Sequence, residues 1–79
     1  MKEFVEFVVK QLVDKPEAVQ VAEVKGTTVN IYELHVAKED MGKVIGKRGQ
    51  TAFAIRTLLN AVSAAKRGNR SILEILDES

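Results

Sequence analysis

Gly46-Lys47-Arg48-Gly49 is the stretch of this sequence with the clearest capacity for chemistry: two glycines bracket adjacent cations, an apolar Val44-Ile45 leads in, and a strongly helical segment follows. Glycine at both corners lets two helices meet across a four-residue link, where side chains would block the turn and hold a ligand's backbone away. The first N–H groups of the following helix have no intrahelical acceptor, and the helix dipole places roughly half a positive charge there. An anion is favoured at such a place, and Lys47 and Arg48 add full charges to it. A phosphodiester matches: it carries one negative charge, its oxygens accept from backbone N–H, and a polymer presents them in series.

Two other phosphate loops fail on spacing. A P-loop needs four residues between its first glycine and Gly-Lys-Ser/Thr. Here Gly42 and Gly46 are separated by three, and Lys47 is followed by Arg48. The dinucleotide pattern Gly-x-Gly-x-x-Gly fails because Val44 stands two before Gly46, and no parallel βαβ unit is expected around the loop.

Charge supports the same reading. The net charge is +1, but residues 1–37 hold four basic and six acidic groups, whereas residues 38–79 hold eight and five. Between Met41 and Leu73 lie Lys43, Lys47, Arg48, Arg56, Lys66, Arg67 and Arg70 without one carboxylate, which suits a face that meets an anion. Enzyme chemistry is poorly served: there is no cysteine, one histidine, and no nucleophile–base pair. His35 has no second histidine or carboxylate at ligand spacing, so no metal and no cofactor are expected.

The elements that must position this loop follow from periodicity. Phe4, Val5, Val8, Val9 and Leu12 recur at helical spacing, so residues 2–13 read as an amphipathic helix, with Phe7 outside the apolar stripe. Asp14-Lys15-Pro16 ends it. Residues 18–24 and 28–37 alternate and are rich in β-branched side chains, which predicts a hairpin about Gly26-Thr27 with Leu34 and Val36 toward the core. Asp40 is expected to cap a short helix over 41–45, and a long helix runs from Gln50 to about Lys66, with Gly68 as its left-handed stop. Residues 71–76 form the last strand, and Asp77-Glu78-Ser79 reads as a polar tail. The fold class is therefore α+β: a three-stranded sheet with three helices packed on one face, order α-β-β-α-α-β, in a single domain over residues 1–79. The N-terminus lacks a signal-peptide layout and no apolar run could span a membrane, so a cytoplasmic location with no membrane partner is expected.

On the long helix, Ala52, Ala54, Ile55, Leu58, Leu59, Ala61, Val62 and Ala65 cover an arc of roughly 180°, wider than the ~100° a core stripe needs. Ala54, Leu58, Ala61 and Ala65 form the surplus edge, whose small side chains suit a second helix at close range, and a symmetric dimer through them is the expectation.

The apolar lead-in, Gly-Lys-Arg-Gly between two helices and the strand before it resemble the Ile-Gly-x-x-Gly signature of the KH domain, and the element order is similar to its type II form. "AKEDMGKVIGKRGQTAFAIRTLLNAVSAA" and "VDKPEAV" resemble, more narrowly, the small bacterial KH proteins of the KhpA family, over nearly the whole chain. The resemblance implies a non-catalytic domain for single-stranded RNA, in which Gly46, Lys47, Arg48 and Gly49 clamp the backbone and Val44 and Ile45 help floor a groove for about four nucleotides. Lys43, Gln50, Phe53 and Arg56 complete the expected RNA-facing set, Phe53 as an aromatic that could stack a base. Ala52 departs from the larger aliphatic common in KH signatures, which softens the groove there. The resemblance further implies an RNA chaperone or post-transcriptional regulator that self-associates as a homodimer or pairs with a larger RNA-binding protein of the Jag/EloR type. The alternative is a protein–protein interaction module on a KH scaffold, with incidental RNA affinity.

Overall fold

Helix α1 (Lys2–Leu12) forms because Val5 and Val9, one turn apart, are both fully withdrawn from solvent, while Phe7 stands 66% exposed on the opposite side. The computed structural model describes residues 1–77, and the chain continues through β1 (Gln20–Lys25), β2 (Val29–Val36), α2 (Met41–Ile45), α3 (Gln50–Ala65) and β3 (Arg70–Asp77). The order is α-β-β-α-α-β, with the three helices on one face of a three-stranded sheet, the arrangement of a type II KH fold.

β1 pairs antiparallel with β2, and β3 pairs parallel with β2 along its whole length, from Val29 opposite Arg70 to Val36 opposite Asp77, so that, against the expectation from sequence, parallel strands do flank the two central helices and their loop. The period of two puts Val21, Tyr32, Leu34, Val36 and Leu73 on the inner face. There they pack against Val5 and Val9 of α1, Val44 of α2, and Ile55 and Leu59 of α3. Each fully buried leucine, Leu34 and Leu59, contributes about 1.5–3 kcal/mol by leaving water. The outer face, turned away from the helices, leaves Val24, Ile72 and Leu76 partly exposed.

Several expectations shift by a residue or more, each for a local reason. The first strand starts at Gln20 rather than residue 18, because Pro16–Ala18 closes a 3-10 turn in which the Val19 N–H donates to the Pro16 carbonyl at 3.1 Å. β3 extends one residue further at each end, through Asp77, because its parallel partner continues beside it. Glu78 and Ser79 of the expected polar tail lie outside the described residues.

Two capping expectations are corrected. α3 stops on Arg67, not Gly68: Arg67 takes the left-handed conformation (φ 53°), with its N–H on the Ala64 carbonyl at 3.1 Å and the Gly68 N–H on the Ser63 carbonyl at 2.8 Å. These are the paired bonds of a Schellman turn. Asp40 stands at the N-cap of α2 but does not cap it. Its carboxylate instead accepts the backbone N–H groups of Asp14 (3.1 Å) and Lys15 (3.0 Å), which have just left α1.

Candidate nucleic-acid interface

Helix α2 ends at Gly46 (φ 77°, ψ 171°), and Arg48 (φ 57°) and Gly49 (φ 74°) are both left-handed, so the chain reverses within four residues to start α3. The two glycines serve different purposes. A Cβ on Gly46 would overlap the Thr51 side chain and lie 2.8 Å from the Thr51 nitrogen, so this corner is closed to any side chain. A Cβ on Gly49 would meet nothing within 4 Å, and its vacant side faces open space where a backbone could approach.

Inside the bend the Gly46 N–H donates to Gly42 (2.8 Å), the Gly49 N–H to Gly46 (3.1 Å), and the Gln50 N–H to Lys47. These amides hold the bend together. Both side chains are exposed and form no ion pair among the described residues. Ile45 is 39% exposed beside them, whereas Val44 is fully buried and supports the loop from beneath. Lys43 is placed differently from its neighbours in sequence: its ammonium pairs with Asp14 and lies 3.7 Å from Asp40.

That pairing belongs to a cluster which fixes α2. Burial would raise the Asp40 carboxyl, but the two backbone donors and the Lys43 charge outweigh it and hold it below the ordinary aspartate range. The hydrogen bond from Lys43 to Asp14, and that from Lys15 to Glu39 at 2.6 Å, raise both lysines, while the Lys15 bond lowers Glu39.

From the loop, α3 presents three faces at 100° per residue. Ala52, Ile55, Leu59 and Ser63 are buried against the sheet. Ala52 therefore lies in the core rather than in a ligand groove. Ala54, Leu58, Ala61 and Ala65 are all exposed, Leu58 by 48%, so α1 does not cover this arc. The third face, with Phe53, Arg56, Thr57, Asn60 and Ala64, walls an open groove of about 720 Å³ whose far end is formed by Gly68 and Arg70.

The groove runs between α3 and the free edge of the sheet, since β3 is an outer strand. Two α3 side chains already bond to that edge. Asn60 Oδ1 accepts the Ser71 N–H at 3.1 Å, and Arg56 Nη2 donates to the Leu73 carbonyl at 3.3 Å. Beneath them the Ser63 and Ser71 hydroxyls share a buried hydrogen bond of 2.6 Å. Phe53 is 71% exposed at the loop end of the groove.

Of the expected RNA-facing residues, Phe53 and Arg56 line the groove, Ile45, Lys47, Arg48 and Gln50 are exposed in or beside the bend, Gly46 and Gly49 are half-buried in it, Val44 is buried, and Lys43 is taken up by Asp14. Thr57, Asn60, Ser63, Ala64, Gly68 and Arg70 join them from outside the expected set. On a helical wheel Phe53, Thr57, Asn60 and Ala64 do form a stripe, but only the neighbouring strand distinguishes it from a solvated face.

His35 lies half-buried on the outer sheet face, and among the described residues no cluster of three or more His, Cys, Asp or Glu could hold a metal. No helix among them is long and apolar enough to cross a membrane.

The sequence can now be set beside known proteins. Residues 2–75 match the family described as KhpA/KhpB, KH domain. The chain is 60% identical to the RNA-binding protein KhpA of Chlamydia trachomatis and 58% identical to that of Chlamydia pneumoniae, each over 79 residues and 99% of both chains. It is 54% identical to the RNA-binding protein KhpA of Clostridium perfringens over 76 residues, 96% of this chain and 100% of that one. No solved structure matches. With the family pattern running almost end to end and the Gly-Lys-Arg-Gly bend at the junction of its two central helices, the chain belongs to the KhpA/KhpB family of KH domains.

Proposed function

We propose that this chain is a cytoplasmic, non-catalytic binder of single-stranded RNA, acting as an RNA chaperone or post-transcriptional regulator. The observation that carries this is the continuity of two surfaces: an exposed Gly46–Gly49 bend bearing Lys47 and Arg48, and a groove that starts one turn further on at Phe53. The bend takes phosphates, and the groove takes bases against Ile45, Phe53, Thr57 and Ala64. The chain is a binding domain and not an enzyme.

The test is Lys47→Asp with Arg48→Asp. RNA binding is expected to be lost with the fold retained, and milder single changes should lower the salt slope by about 0.7 per lost phosphate contact while weakening all sequences alike. A folded double variant that binds as tightly as wild type removes the clamp.

The exposed Ala54, Leu58, Ala61 and Ala65 further support a partner along α3: a second copy, or a larger RNA-binding protein of the Jag/EloR type. Sedimentation reads this directly, with Leu58→Asp or Ala61→Asp expected to convert a dimer to a monomer. A wild type that is monomeric at micromolar concentration counts against self-association. The same stripe favours the second reading, a protein-interaction module with incidental RNA affinity, which predicts partner capture insensitive to nuclease and to the loop substitutions.

A further inference from the structure

A sheet covered on one side ordinarily turns apolar residues in and polar residues out. The outer face of this sheet departs from that rule. Val24, Ile31 and Ile72 stand in one row across all three strands, because Val24 is in register with Ile31 and Ile31 with Ile72. Val24 is 52% exposed and Ile72 39%, with Ile31 half-buried between them.

Charge is arranged around that row. Two residues beyond it Glu33 and Glu74 are register partners, so two carboxylates stand side by side on neighbouring strands, where like charges repel. Two residues before it Arg70 lies on the same side of β3, at the edge where this face meets the groove. Among the described residues neither carboxylate forms an ion pair, and nor does Arg70. Along β3 the outer face therefore reads cation, aliphatic, anion, centred on Ile72.

Such a pattern is complementary to itself. A half-turn about an axis along the row reverses the strands, so that each residue two before the row meets the residue two after it in the other copy. Ile72 then meets Ile72, Ile31 meets Ile31, and Arg70 of each copy meets Glu74 of the other with Glu33 beside it. Two sheets packed about 10 Å apart and crossing near 30° bring side chains of this length together.

We propose that the outer sheet face docks a second copy of this chain, antiparallel across the Val24–Ile31–Ile72 row, with Arg70 of each copy set against Glu33 and Glu74 of the other. The face lies on the far side of the sheet from α3, so this contact is independent of one through Leu58 and Ala61. Its size sets its strength. Three strands about 4.8 Å apart, eight residues long at ~3.3 Å each, give a footprint of roughly 400 Å², half of what each partner supplies to a stable interface. The contact is accordingly weak and forms where copies are crowded, as they are when one polymer holds several. The half-turn keeps both β3 edges on the same side, so the two grooves open together and run in opposite directions.

The chain has no cysteine, so a single introduced one reports the axis. Ile72 and Leu76 share one strand face at nearly equal exposure, 39% and 38%. In the docked pair the two positions 72 face each other, whereas the two positions 76 lie about 26 Å apart, eight residues at ~3.3 Å. With a short bis-maleimide, at high protein concentration and without RNA, Ile72→Cys is expected to cross-link several-fold faster than Leu76→Cys. Adding Arg70→Glu or Glu74→Arg alone should slow it about fivefold, and adding both should restore it, since the charges have then only changed places. The two single charge changes are separate routes to the same result, so one that fails to fold leaves the other as the test. Equal rates at the two positions overturn self-docking and leave the face to a different protein. A preference for Ile72→Cys that neither charge change moves overturns the pairing of Arg70 with Glu74. Lys47→Asp with Arg48→Asp should leave the cross-linking as it is, so that failure of the RNA reading and failure of this contact are distinct results.

Discussion

The carboxylate of Asp40 receives the backbone N–H of Lys15 at 3.0 Å across 25 positions of sequence, and so ties the exit of α1 to the entrance of α2. Asp40 is 1% exposed, with the Asp14 N–H on its other oxygen and Lys43 nearby. Because Gly46 lies only one short helix away, this contact and the buried Val44 together set where the bend points.

Acid should release that tie. A carboxyl held below its unfolded value contributes stability that is complete above about 3.9, the ordinary aspartate value, and is lost as pH falls through the folded one. The groups facing it are Asp14, Lys15, Glu39 and Lys43, of which Glu39 is also lowered, by its hydrogen bond to Lys15, and reinforces the trend. Denaturant unfolding of wild type and Asp40→Asn across this range checks it. The variant, left with an amide donor facing a backbone donor, is expected to be less stable near neutrality, and the gap should narrow in acid. A constant gap argues that the carboxylate charge is irrelevant.

How far the sequence reveals this protein can be judged from the same residues. The Gly-Lys-Arg-Gly bend is legible because each of its requirements is local: glycine where φ is positive, charge beside it, helix on both sides. The true partners of Asp40 are not, since an aspartate before a helix has a good local reason to cap it and only the tertiary fold supplies the competing donors of Asp14 and Lys15. The groove is half legible. Phe53 and Arg56 stand out by type, but Thr57, Asn60 and Arg70 acquire meaning only when β3 takes the edge beside α3. The stop of α3 differs by one residue because glycine is the usual left-handed choice, while the turn closes on the position that its hydrogen bonds to Ser63 and Ala64 dictate.

Three glycines near the bend should respond differently to alanine. Gly46→Ala meets the Thr51 side chain and a φ of 77°, and is expected to cost more than about 2 kcal/mol, on the order of the larger core and backbone lesions. Gly49→Ala meets no atom within 4 Å and should cost only about 1 kcal/mol for its φ of 74°. Gly42→Ala, in α2 with nothing within 4 Å and an ordinary φ, should be neutral or stabilising by up to about 1 kcal/mol. Urea midpoints rank the three, and an equal cost at Gly46 and Gly49 would show that Thr51 yields freely.

Arg67→Gly is expected to stabilise the domain by about 1 kcal/mol, since glycine removes the left-handed penalty at φ 53° and the Schellman bonds are main-chain only. In a domain of this size that corresponds to a rise in Tm of roughly 4–8 °C. Thermal melts of wild type and variant suffice. A variant that melts lower would mean that the Arg67 side chain contributes more to the fold than its backbone strain subtracts.

Tyr32 supplies the alkaline counterpart. It is the sole tyrosine, 2% exposed on the inner sheet face, with its hydroxyl donating to Glu23 Oε2 at 2.9 Å. Burial first, and then the hydrogen bond and charge of Glu23, push it up to about 12. A raised value means that the folded state holds the proton more tightly than the unfolded chain does. The stability this confers is intact below about 10, the unfolded tyrosine value, and is lost as pH rises through the folded one. Tyrosinate absorbance should therefore appear only near pH 12, together with unfolding, instead of as a separate earlier step. Glu23→Gln keeps an acceptor but removes the charge, and should move the transition to lower pH without abolishing the shift, because burial is its larger cause. Ionisation of the folded protein near the ordinary tyrosine value would place the Tyr32 hydroxyl in water rather than against Glu23.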